Sequence, residues 1–106
     1  MNRALLVQVR DSLPPRLNAG ILMGDGGFCI LGWMLTCAGY HPISLYANTI
    51  AVVDPADGGA AIDVVARQFD LPRSDVVGLA RLNDATPCDQ RTVAVRSHLS
   101  ELIGPG

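Results

Sequence analysis

The chain has 106 residues, 49% of them hydrophobic and 17% charged, with a net charge of −2 at pH 7 and a mean hydropathy of +0.29. That balance excludes an intrinsically disordered chain, which needs low hydrophobicity and high net charge, and the length fits a single domain over residues 1–106, since domains usually run to ~100–200 residues. All eight basic residues are Arg, and they are outnumbered by ten acids, so neither half carries the basic patch that binding to a phosphate backbone requires.

Leu5, Leu6, Val9 and Leu13 recur at helical spacing, and Pro14-Pro15 ends that helix. Gln8, Arg10 and Asp11 interrupt the apolar stretch, so no export leader is expected here. A short piece over Leu17–Met23 has no clear period, and Gly24-Asp25-Gly26-Gly27 forms a sharp break. Phe28 to Tyr40 is the most apolar run, but its 13 residues fall short of the ~20 that span a bilayer, so it reads as a buried helix over Phe28–Ala38. Gly39 stands where a left-handed C-terminal cap belongs.

His41-Pro42 restarts the chain. Ile43–Val53 reads as a helix begun by Pro42, although Thr49 to Val53 also suits a strand. Asp54 to Gly59 is a loop by its turn residues. Ile62, Val65, Ala66 and Phe69 mark the next helix, stopped by Pro72. Ser74 is the expected N-cap of a helix through about Leu82 carrying Val77, Leu79 and Leu82. Thr86 as N-cap, Pro87 as first helical residue and Asp89 in the first turn open a last helix, whose stripe is Val95, Leu99 and Leu102. The expected fold is all-α: a compact domain of five or six short helices.

Several patterns carry chemistry in other proteins. Residues 62–82 resemble a helix-turn-helix, with small Ala66, apolar Phe69 and Leu71, Ser74, and Val76 and Leu79 at packing positions. Its second helix would offer Arg73, Ser74, Val77, Gly78 and Arg81 to a groove, a set too apolar to read bases, and Asp70 stands where such turns want Gly. Cys29, early in a helix, is the candidate thiol nucleophile of a small cysteine hydrolase. Only His41 and His98 could serve as its base, and a tightly packed core thiol is the simpler reading.

Three cysteines without paired spacing give no zinc set, and the absence of an export leader points to free thiols in a reducing cytoplasm. The glycine run lacks the Lys-Ser/Thr of a phosphate loop. Asp54, Asp57 and Asp63 do not match a calcium loop. Asn83-Asp84 reads as a polar turn between two helices.

Cys29-Ile30-Leu31-Gly32, preceded by Gly24-Asp25-Gly26-Gly27-Phe28 and followed about 50 residues later by Leu82-Asn83-Asp84 and an amphipathic helix, is similar to small uncharacterised helical proteins of bacteria, phages and prophages. The resemblance spans about Gly24 to Leu102. It implies an architecture and a mobile-element origin, and lends no catalytic residues.

The sequence therefore leads to a non-enzymatic protein-interaction module, an inhibitor or regulator of a partner complex, that binds another protein or its own copy. The apolar content of so short a chain and the missing acid–base constellation carry that expectation. Trp33, Met34, Tyr40, Arg73 and Arg81 are the candidate contact residues. A DNA-binding regulator using residues 62–82 is the alternative. No metal, cofactor or membrane partner is expected.

Overall fold

The computed structural model describes residues 1–19, 23–24, 27–40 and 61–105, and among them are five helices and one small β-ribbon. The expected helix over Ile43–Val53 and the loop after it lie outside the described residues.

Helix α1 (Arg3–Asp11) is capped by Asn2, whose side-chain oxygen accepts the Leu5 N–H at 3.3 Å. It buries Leu6 and Val9 and stops before Leu13, because the Ser12 hydroxyl donates to the Gln8 carbonyl at 2.6 Å and closes the last turn. Leu13 and Leu17 are still buried, now from irregular backbone. The sharp break expected at the glycines is a ribbon: β1 (Met23–Gly24) pairs antiparallel with β2 (Gly27–Phe28), Met23 opposite Phe28. Asn18 ties the ribbon down. Its backbone N–H donates to the Phe28 carbonyl at 2.8 Å and its side-chain amide to the Gly27 carbonyl at 2.6 Å.

Because Phe28 is held in that ribbon, α2 (Ile30–Cys37) begins two residues later than the apolar run suggests. Cys29 is its N-cap rather than a first-turn residue, and its sulfur accepts the Gly32 N–H at 3.5 Å. Ile30, Leu31, Gly32, Met34 and Leu35 are all buried, so the helix is covered on most sides. It ends as expected on Gly39, at φ 104°. The Tyr40 N–H reaches back to the Leu35 carbonyl and the Gly39 N–H to that of Thr36, the paired bonds of a Schellman cap.

The same cap recurs at the end of α3 (Ala61–Phe69), with a different residue at its turning point. Leu71 N–H bonds to the Ala66 carbonyl and Asp70 N–H to that of Arg67, so Asp70 itself takes the left-handed conformation, φ 52°. This is how the connection turns without the glycine it seemed to lack. Asp and Asn are the side chains that tolerate that region best.

Helix α4 (Arg73–Ala85) is capped by Pro72 and not by Ser74, which sits inside the first turn. It buries Val76, Leu79, Ala80 and Asn83, leaving Val77 and Leu82 half-buried, and it runs past Leu82, so Asn83-Asp84 is helical rather than a turn. Helix α5 (Arg91–Ile103) starts four residues after the expected Pro87. Thr86 uses its hydroxyl backwards, donating to the Leu82 carbonyl at 2.6 Å, and so closes α4 instead of opening α5. The buried stripe of α5 is Thr92, Val95, Leu99 and Ile103, with Leu102 half-buried.

All five helices feed one core, in which Leu6, Leu31, Phe69, Leu79 and Leu99 are fully enclosed. Each such side chain contributes about 1.5–3 kcal/mol relative to exposure. The radius of gyration, 12.4 Å, is what close packing of this length gives, about 13 Å for 100 residues. The all-α expectation holds. No helix among the described residues is long and apolar enough to cross a membrane.

Candidate interaction groove on the third and fourth helices

The sequence-predicted contact residues separate into three places. Met34 is fully buried and therefore belongs to the core, not to a contact surface. Trp33 is half-buried; its indole N–H donates to the Ser12 hydroxyl at 3.3 Å and its ring meets Phe28 edge-on, 5.4 Å between centroids. That edge-to-face contact and hydrogen bond fix the Trp33 ring against α1 and the ribbon. Tyr40 packs on the core from just beyond the α2 cap.

Arg73 and Arg81, by contrast, come together. They project from α4 into an open groove of about 780 Å³ lined also by Ile62, Val77, Ala80, Asp84 and Ala85. The helix period explains the assembly. Residues 73, 77, 81 and 85 follow one another at four-residue steps, and 80 and 84 lie alongside them. Ile62 closes one side from α3. Four apolar residues thus make the floor and wall, and three charged ones the rim.

The rim is of mixed sign. Arg73 Nε is 2.9 Å from the Asp63 carboxylate on α3, an exposed pair that fixes the guanidinium's direction more than it adds stability. Arg81 makes no ion pair among the described residues. Asp84 accepts from the Asn83 amide at 3.0 Å. Ile62 and Asp84 escaped the sequence reading. Ile62 enters it only among the residues that mark a helix, and Asp84 as part of a turn where the structure has helix.

Cys29 lies outside the groove and is 1% exposed. Burial pushes its thiol pKa up, and the nearby Asp84 charge adds to the rise against the opposing backbone N–H bonds. A thiol held protonated and enclosed is a poor nucleophile. His98, one of its two candidate bases, is on α5 with its ring 3.8 Å from Glu101; the other, His41, lies outside the described residues. No group of three metal-ligating side chains converges among the described residues.

The two halves of the Cys-x-Leu-Gly and Leu-Asn-Asp pattern meet in space. Asn83 Oδ1 accepts the Ile30 N–H at 3.1 Å, and its amide donates to the Asn18 carbonyl at 2.7 Å. Asn83 therefore satisfies one of the orphan donors at the α2 N-terminus and anchors the segment before the ribbon. Its job here is architectural.

A scan against protein-family models, a search of curated proteins and a search of solved structures each found no match.

Proposed function

We propose that the chain is a non-enzymatic protein-binding module that engages its partner through the α3–α4 face. The observation that carries the reading is the groove itself: an open apolar floor of Ile62, Val77, Ala80 and Ala85 rimmed by Arg73, Arg81 and Asp84. An apolar centre with a charged rim containing Arg is the usual anatomy of a protein contact. Burial of Cys29 counts against the hydrolase reading.

The similarity to small bacterial and phage proteins suggests where to look for the partner, as a regulator or inhibitor of a host complex would act. Three free thiols suit a reducing cytoplasm as the setting. Affinity capture from the producing cell tests the reading, with Val77→Glu compared against Val93→Glu, the latter on the exposed side of α5 at 66% exposure. Loss of a partner with the first variant alone supports it. Equal capture by both, or none by the wild type, ends it.

A second reading, DNA binding by α4, draws on the three-residue connection Asp70–Pro72 and on the exposed Arg73 and Arg81. Residues 61–85 hold three Arg against four Asp, so phosphate contacts would form against repulsion. Gel retardation of duplex DNA at low salt, lost in an Arg73→Ala, Arg81→Ala double variant, would establish it in place of the first.

A further inference from the structure

We infer that the occupant of the groove is α4 of a second copy of the chain, packed antiparallel about a two-fold axis. The inference rests on the protein-binding reading above and names its partner.

Along α4, the groove residues Arg73, Val77, Ala80 and Asp84 are spaced four, three and four apart. This is the seam along which one helix packs on another, with side chains of one inserted between those of its neighbour. The spacing reads the same in both directions, which is the condition for an isologous contact. Turned end for end, Arg73 meets the second copy's Asp84 and Val77 meets its Ala80. Every contact then occurs twice.

The ends of this seam, about 16 Å apart at 1.5 Å per residue, carry opposite charges. The pattern therefore selects direction. A parallel pair would set Arg73 beside Arg73 and Asp84 beside Asp84, whereas the antiparallel pair forms two cross-bridges. Arg73 retains donors for its bridge, because only Nε is directed at Asp63 and a guanidinium has five N–H groups. At the centre half-buried Val77 lies opposite the small, buried Ala80 of the other copy, so the larger side chain of each is matched to the smaller one of its partner. Ile62 and Arg81 flank the pair.

A single helix seam covers less than the ~1,200 Å² of a standard stable interface, so the dimer is weak and concentration-dependent.

Sedimentation equilibrium of the full chain over a hundredfold concentration range tests this. The expected result is a reversible monomer–dimer equilibrium. Arg73→Asp alone and Asp84→Arg alone each weaken it about tenfold or more by setting like charges opposite one another, and the double exchange restores it. A monomer at every concentration overturns the inference, as does a dimer indifferent to either single exchange. Circular dichroism establishes that the variants are folded. A photo-crosslinking residue in place of Arg81, at the flank of the seam, gives a second readout. A crosslinked dimer of this chain supports the inference. Crosslinking only to a different protein overturns the second copy and leaves the protein-binding reading standing, and no crosslink overturns both.

Discussion

The Asn83 side chain, in the last turn of α4, accepts the first backbone N–H of α2, that of Ile30, at 3.1 Å. The two residues are 53 positions apart, and the contact is fully enclosed, with Asn83 1% exposed. A cap that comes from another helix couples the start of one element to the end of another.

Removing that cap is the first prediction. Asn83→Ala strands the Ile30 N–H and the Asn18 carbonyl together, and a buried polar group without a partner costs about 1–3 kcal/mol. The expected loss is about 2–4 kcal/mol in urea unfolding. Asn83→Asp keeps an acceptor for Ile30 but turns a negative oxygen toward the Asn18 carbonyl, so it too destabilises. A change below about 0.5 kcal/mol, the range of ordinary surface substitutions, in the alanine variant contradicts the cap.

Two glycines with equally open surroundings are expected to respond with opposite sign. A Cβ added at Gly39 or at Gly78 meets nothing within 4 Å. Gly39 is at φ 104°, where an L side chain is strained, so Gly39→Ala costs about 1–2 kcal/mol. Gly78 lies inside α4 in ordinary helical backbone, so Gly78→Ala stabilises by about 0.5–1 kcal/mol. Thermal melts of the pair decide the matter, since a shared sign would mean that space and not backbone conformation controls both sites.

The three thiols are expected to separate by alkylation rate in the folded chain: exposed Cys88 first, half-buried Cys37 next, enclosed Cys29 last and only on unfolding. Burial raises the Cys29 pKa above its ordinary 9.0. The folded state therefore holds that proton more tightly than the unfolded one. The associated stability is fully present below pH 9 and is lost as pH rises through the higher folded value. Cys29→Ala flattens the alkaline fall of a stability–pH curve. An unchanged slope contradicts this assignment.

Arg91 is nearly buried and bonds two carbonyls, Thr86 at 3.1 Å through Nε and Leu17 at 2.7 Å through Nη1. A lysine has one nitrogen for both and lacks the planar fork, so Arg91→Lys is expected to cost about 1–3 kcal/mol despite keeping the charge. Unfolding by guanidinium measures it. A loss as small as that of Arg96→Lys, an exposed neighbour on the same helix, would show that the fork does nothing.

The sequence carried the helices well where the signal was local. Leu6, Val9, Val65, Phe69, Val95 and Leu99 lie on the buried faces that their spacing announces, and Gly39 ends α2 where expected. Boundaries failed where a distant or competing partner intervened. Thr86 has the features of an N-cap, yet its hydroxyl is taken by Leu82 and its carbonyl by Arg91. The ribbon of Met23–Gly24 with Gly27–Phe28 is two residues a side, too short for any alternation to register. Met34 was indistinguishable from a surface residue because α2 is apolar all round, and nothing local says which of its sides is covered. In the groove, Arg73 and Arg81 could be read from helical spacing, but Ile62 joins them only through the packing of α3 on α4.

The irregular stretch after α1 has a consequence for how the chain emerges during synthesis. The carbonyls of Pro14, Leu17 and Asn18 are held by Thr92, Arg91 and Asn83, partners made 78, 74 and 65 residues later. Such long loops close slowly, and before they close the segment relies on local bonds such as those of Asn18 to Gly27 and Phe28. Until α4 leaves the ribosome, α2 lacks one of the three helices that pack on it and the Asn83 cap on its first N–H, so a nascent chain stalled near residue 80 presents an incompletely covered α2 to chaperones. In this protein the shape of the beginning is decided by the arrival of the end.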